Sequence, residues 1–200
     1  MESFATTESQ GASNFNTLES SQASTTGMNV EICAFTPENE PAIINMIRQN
    51  LDNFEEAGSV LASTFRRLEH FVDVYSTPGA TYLVVKDSGT GACIGGAGIG
   101  PLAGLPASEG IGEIRDLVIE KPFRGRGLGA QLLAVCLLEA KRLGYRRLYL
   151  ETTPQMVTAQ KLFHRYGFRP ITGDTRKKQG NLLEDIPCYY MFENLDSAQF

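Results

Sequence analysis

The period of the apolar positions changes several times along the chain, and each change predicts an element. Val30 to Thr36 alternates between apolar and polar neighbours, which predicts a first strand. Glu38 to Asn50 places Ile43, Ile44 and Ile47 on one helical face and carries Pro41, which a first helical turn tolerates. Gly58 interrupts this pattern. Val60 to Tyr75 then predicts a second amphipathic helix with Leu61, Phe65, Leu68, Phe71 and Val72 inward. Thr81 to Lys86 and Ala92 to Ile99 read as strands joined by a hairpin turn at Asp87-Ser-Gly-Thr-Gly91, so they pair antiparallel. The returning strand is unusually rich in glycine.

A loop of Pro and Gly residues, 100 to 112, leads into the most informative stretch, Glu113 to Ala130. Ile114, Leu117, Val118 and Ile119 are the apolar and β-branched residues of a buried strand beginning at Glu113, and Pro122 ends it because proline has no N–H for a ladder. Alternation sends Asp116 to the face opposite Glu113. From Gly127 the apolar residues Leu128, Leu132, Val135, Cys136 and Leu138 recur at helical spacing, leaving Glu139, Lys141 and Arg142 for solvent. Arg146 to Glu151 follows as a strand parallel to the central one, because the helix crosses between them. Thr152 and Thr153 are expected to cap a short helix with Pro154 in its first turn and Gly167 past its end. Met156, Ala159, Phe163 and Tyr166 share one face of it. Phe168 to Ile171 and Cys188 to Glu193 supply the last strands, joined by a polar loop through Asp174 and Gly180.

Composition bounds what this pattern can be. Residues 1 to 28 are rich in Ser, Thr, Gln, Asn and Glu, contain no Lys or Arg, and predict a disordered tail ahead of one domain over 29 to 196. The net charge of -5 argues against a nucleic-acid backbone as partner. No apolar run reaches the length of about 20 residues that spans a bilayer. The N-terminus shows neither a signal nor a transit pattern. Cys33, Cys93, Cys136 and Cys188 are widely spaced, which suits reduced, buried thiols in a cytoplasmic or nuclear chain and no metal site.

The junction of strand, glycine turn and helix is where chemistry is expected. A helix start leaves N–H groups without intrahelical partners and carries the positive end of the macrodipole, and Gly125, Gly127 and Gly129 keep side chains out of the way. Such a turn holds an anion, most often a phosphate. Gly125-Arg-Gly-Leu-Gly-Ala130 also fits the dinucleotide pattern G-x-G-x-x-A, with Glu151 where a ribose acid would sit. Two features count against that ligand: five residues including Pro122 separate strand from glycines, and too little chain follows to complete a six-stranded parallel sheet.

Arg124-Gly-Arg-Gly-Leu-Gly129 resembles the [Gln/Arg]-x-x-Gly-x-[Gly/Ala] signature of the GNAT superfamily of acyl-CoA-dependent N-acyltransferases, and Ala159-Gln-Lys-Leu-Phe-His-Arg-Tyr-Gly-Phe168 resembles that family's Ala-x-x-Leu-Tyr-x-x-x-Gly-Phe helix. The resemblance covers roughly residues 29 to 195. It implies an α/β (α+β) fold, a mixed, mostly antiparallel sheet of about seven strands with helices on both faces and a splayed central parallel pair. It also implies acetyl-CoA as co-substrate and a small-molecule, amino-acid or peptide amine as acceptor, with a homodimer left open. The pyrophosphate would rest on Arg124, Gly125, Arg126, Gly127, Leu128, Gly129 and Ala130, and the pantetheine arm along the backbone of Leu117, Val118 and Ile119, whose free N–H groups would polarise the thioester carbonyl. The two helices over 38 to 75 would roof the acceptor.

Glu113 stands where family members that use a carboxylate base carry it. An amine of pKa about 10.4 is on the order of 0.04% neutral at pH 7, so deprotonation costs about 4.6 kcal/mol and the proton needs a route, by carboxylate or through water. Two departures stand beside these matches. Met156 replaces an asparagine that contacts coenzyme A, and Phe163 replaces a tyrosine that protonates the leaving thiolate. Tyr166, one turn on, is the substitute acid; otherwise none is required, because a thiol of pKa about 8.5 leaves tolerably as its anion. His70 and His164 read as surface residues, and the basic runs Lys141 to Arg147 and Arg176 to Lys178 as solvated faces. No Cys or Ser nucleophile pairs with His and a carboxylate, which favours direct transfer in a ternary complex. The competing reading is a non-catalytic coenzyme A-binding module.

Overall fold

The computed structural model describes residues 21–25, 28–51, 58–103, 105, 107–171 and 188–198. Its centre is one sheet in the order β1-β2-β3-β4-β5-β6-β8-β7, built from β1 (Ser21–Thr25), β2 (Met28–Ala34), β3 (Thr81–Asp87), β4 (Cys93–Pro101), β5 (Ile111–Ile119), β6 (Arg147–Thr152), β7 (Arg169–Pro170) and β8 (Cys188–Phe192). Every neighbouring pair is antiparallel except β5 with β6. Helices α1 (Glu40–Leu51), α2 (Gly58–Glu69) and α3 (Phe71–Tyr75) belong to one side of the chain's core, and α4 (Leu128–Arg142) and α5 (Val157–Arg165) to the other. The expected mixed sheet and single parallel pair are therefore present. Ser21–Thr25, inside the segment expected to be without order, pairs with Met28–Ala34 as an additional edge strand. Residues 1–20, Asp174, Gly180 and the run Arg176 to Lys178 lie outside the described residues.

Strand alternation sends the buried side chains to two faces. Ile114, Leu148, Leu150 and Tyr190 face α4, whose Leu132, Leu133, Cys136, Leu137 and Ala140 are fully buried against them. On the opposite face Phe71, Tyr75 and Tyr82 stack with ring centroids 4.9 to 5.2 Å apart, over Ile43, Met46 and Val84. This stack explains the glycines of β4. A Cβ on Gly98 would lie 2.2 Å from the Tyr75 hydroxyl, and one on Gly96 2.4 Å from the Tyr82 ring, so two tyrosines rest directly on the β4 backbone.

Several local expectations need correction. The stretch over 60 to 75 is two helices broken at His70, and Phe65 is exposed instead of inward; the side chain of Leu61 lies outside the described residues. α5 begins at Val157, with Met156 at its N-cap, so Thr152 and Thr153 do not cap it and Pro154 lies in the preceding turn. Glu139, assigned to solvent by periodicity, is buried and paired with Arg142 at 2.6 Å. β5 begins at Ile111, two residues before Glu113.

Candidate active site

The parallel ladder between β5 and β6 is short. Its rungs run from Ile111 opposite Arg147 to Ile114 opposite Leu150 and then stop. β5 continues to Ile119 on β4, and β6 continues to Thr152 on β8, so the two central strands part and leave a wedge between 115–119 and 151–152. Thr153, just past β6, has a buried Oγ1 with no hydrogen-bond partner among the described residues. A buried orphan acceptor at that place is a position a ligand group would satisfy.

At the far end of β5 the glycine turn is built as a receptor for charge. Gly125 and Gly127 have φ of 76° and 82°, a region costly for other residues, and a Cβ at Gly125 would meet nothing within 4 Å. Gly127 is the N-cap of α4 and offers no side-chain cap. Among the described residues the N–H groups of Gly125, Arg126, Gly127, Leu128 and Gly129 meet no backbone acceptor; the first bonds of the helix run from Ala130 and Gln131 to the Gly127 carbonyl. The start of a 15-residue helix therefore offers N–H groups with no backbone acceptor among the described residues, beside an exposed glycine turn, which fits a pyrophosphate. Leu128 is buried as the hydrophobic anchor of that turn, and Gly129 and Ala130 are half-buried. Arg124 does not reach toward the turn: its Nε donates to the Ile119 carbonyl at 2.8 Å and its guanidinium also meets Asn50 of α1. Arg126 is exposed.

The bulge in β5 changes the chemistry on its face. The β4 ladder slips between Gly96 and Gly98, so Asp116 and Leu117 together oppose Ala97. Asp116 has φ of 49° and turns toward α2 and α3. Alternation assigned it to the face away from Glu113; the extra residue returns it to the same side. Its carboxylate accepts two bonds from Arg67, at 2.8 and 3.1 Å, and further bonds from Thr64 and Tyr75, while the Tyr82 hydroxyl donates to its carbonyl at 3.3 Å. Burial by itself would lower the Arg67 pKa, but the adjacent Asp116 charge outweighs it and pushes the value up. Burial likewise pushes Tyr75 and Tyr82 well up, with Asp116 adding to it.

Glu113 and Arg115 lie on that face too and bind each other at 2.7 Å, with a second guanidinium nitrogen of Arg115 on the Pro101 carbonyl. Across the ladder from Glu113 is Tyr149, whose hydroxyl donates to Glu151 Oε1 at 2.6 Å. Burial raises the Glu151 carboxyl to about 7; the Tyr149 bond opposes this, the Glu113 charge adds to it, and Arg67 and Arg115 oppose it. From sequence, Glu151 is named only as a ribose acid of the rejected dinucleotide pattern and is not brought together with Arg67, Arg115 and Tyr149. A signal existed for Tyr149 and Glu151: a polar residue two positions after a tyrosine in an otherwise apolar strand must share its face. None existed for Arg67, which lies 49 residues from Asp116.

Of the remaining candidates, Phe163, Tyr166 and Ile119 pack on the α4 face, whereas Val118 belongs to the core beneath α1 to α3. Met156 sits at the start of α5, where the Thr152 hydroxyl donates to its Sδ at 3.4 Å. Phe163 is buried against Phe168 and Tyr190. Tyr166 donates its hydroxyl to the Ala130 carbonyl at 2.9 Å, tying α5 to the first turn of α4. Val118 and Ile119 are paired with Gly96 and Gly95, and Leu117 lies at the bulge.

A wedge in a mixed sheet beside an uncapped glycine turn is the geometry of this site, and comparison with known proteins gives the class to which it belongs. Residues 45–168 match the model of the Acetyltransferase (GNAT) family, and the chain belongs to that family and is an acyltransferase. It is 33% identical over 139 residues, 68% of this chain and 80% of the relative, to the uncharacterized N-acetyltransferase YjgM of Escherichia coli K12. Among solved structures it is similar to a GNAT-family acetyltransferase of Staphylococcus aureus Mu50, with a TM-score of 0.69 at 18% identity over 84% of this chain and 99% of that one. It also resembles the yncA protein of Salmonella typhimurium, solved with its cofactor acetyl-CoA, with a TM-score of 0.63 at 19% identity over 84% and 95% of the two chains. No helix of the described residues is long and apolar enough to cross a membrane.

Proposed function

We propose that the protein transfers an acetyl group from acetyl-CoA to a primary amine, of a small molecule, amino acid or peptide, by direct attack in a ternary complex. The observation that carries this reading is the wedge left where the β5–β6 ladder stops, adjoining the open glycine turn. The turn over residues 125–130 would take the pyrophosphate through the N–H groups of 125–129, and the strand segment Leu117 to Ile119 would take the pantetheine. Acetyl-CoA supplies the acyl group already activated as a thioester. The chain supplies orientation, a dry face and a route for the proton.

The acceptor would enter on the face of α1 to α3. Glu113, Asp116 and Glu151 stand there against Arg67 and Arg115, an excess of one negative charge when all are ionised, which favours a cationic amine. No thiol is prepared for a covalent step: burial pushes Cys33, Cys93, Cys136 and Cys188 all upward, away from the thiolate. That supports direct transfer. Because the Tyr166 proton is held on the Ala130 carbonyl, this residue anchors the turn and the thiol of pKa about 8.5 departs without a dedicated acid.

The test is thermal stabilisation by coenzyme A followed by thiol release from acetyl-CoA across a panel of amines. Stabilisation together with amine-dependent release is expected. Stabilisation with no turnover on any amine would establish a binding module in place of the enzyme.

A further inference from the structure

Among the described residues of β5 and β6, Glu113, Asp116 and Glu151 face the acceptor side, and their partners sort them. Asp116 is enclosed by Arg67, Thr64 and Tyr75, and its backbone is committed to the bulge. Glu113 is committed to Arg115. Glu151 forms no ion pair among the described residues; Tyr149 occupies Oε1, and no donor among those residues lies on Oε2. It is also the first residue of β6 beyond the last rung, so it stands at the apex of the wedge, and Tyr189 of β8 is its ladder partner on the other side.

Resting on the transferase reading above, we propose that Glu151, and not Glu113, takes the proton from the attacking amine. The ammonium has two protons to lose. The first passes to Glu151 Oε2 and on to solvent, leaving the nitrogen lone pair free to form the C–N bond. The second leaves the nitrogen as the C–S bond breaks and goes to the departing thiolate, so the products are the amide, the free thiol and one released proton.

A base works best when its pKa lies near the working pH, and burial holds Glu151 at about 7. Burial raises this value most; of the groups that face it, Glu113 on β5 raises it further, and Tyr149 on its own strand, Arg67 on α2 and Arg115 on β5 lower it, while Tyr189 on β8 is its ladder partner. Glu113 with Arg115 then has a positioning role, acting on the reaction through the field at Glu151.

The experiment uses the full chain, with the amine giving fastest thiol release in the panel as probe. Glu151→Gln is expected to lose about 10²-fold or more in kcat, the usual range for a general base, while keeping its stabilisation by coenzyme A. Tyr149→Phe removes a bond that favours the ionised carboxylate, so the acid limb of kcat/KM moves to higher pH. Carbon-13 titration of the Glu151 carboxyl should show the same midpoint and the same displacement. Turnover that survives Glu151→Gln, or a larger loss in Glu113→Gln than in Glu151→Gln, overturns this assignment and leaves the transferase reading standing. Coenzyme A stabilisation without turnover in the wild type overturns both.

Discussion

The two faces of the central sheet solve different problems. Toward α4 and α5 the sheet is apolar, and the proposed ligand-binding device there is made of backbone: glycines, N–H groups and a helix end. Toward α1 to α3 the same strands carry Glu113, Arg115, Asp116, Tyr149 and Glu151, and the device is made of side chains from β5, β6, α2 and α3. A backbone site tolerates changes in its neighbours as long as the turn closes. A side-chain site depends on each partner, because removing one member leaves another buried and unpaired.

The largest expected effect follows from that dependence. Asp116→Asn breaks the buried ion pair with Arg67 by removing the carboxylate charge, at a cost of about 3 to 5 kcal/mol in urea unfolding. An effect under about 1 kcal/mol would show that the bulge does not need the ion pair.

Next in size is the pH dependence of stability at Glu151. The folded chain keeps this carboxyl protonated between 4.5 and about 7, where the unfolded chain has already released the proton. Wild-type stability therefore falls as pH rises through that interval, by at most about 3 kcal/mol and less where water screens the group. Glu151→Gln cannot ionise, so it should match the wild type near pH 5 and exceed it at pH 8. Equal curves at both values would place Glu151 in an ordinary solvated environment.

Gly98→Ala should cost about 1 to 3 kcal/mol, because the added methyl meets the Tyr75 ring and displaces a donor to Asp116. A pure packing defect would leave the Glu151 titration unmoved, whereas coupling through the bulge would shift it. The smallest effect belongs to the apolar face: Tyr166→Phe should lower stability by about 1 kcal/mol through loss of the bond to Ala130. A kcat loss of about 10²-fold instead would return this tyrosine to the part of general acid.

What the sequence determined by itself was the order of elements and the glycine turn. Both rest on local rules: apolar period distinguishes strand from helix, and glycine spacing before Leu128 marks a turn open to an anion. The parallel pairing of β6 with β5 followed from the crossing helix. Local rules failed where a distant partner intervened. The bulge reversed the side of Asp116 because Arg67, Thr64 and Tyr75 hold it there. Arg142 drew Glu139 out of solvent, and Phe65 was left exposed where helix periodicity placed it inside.

The tertiary structure alone decided which carboxylate has no arginine partner among the described residues. Glu113, Asp116 and Glu151 are the same kind of group in sequence, separated by at most 38 positions. Only packing gives two of them arginines and leaves the third beside a tyrosine, because charge pairing depends on distances in space that residue spacing does not encode.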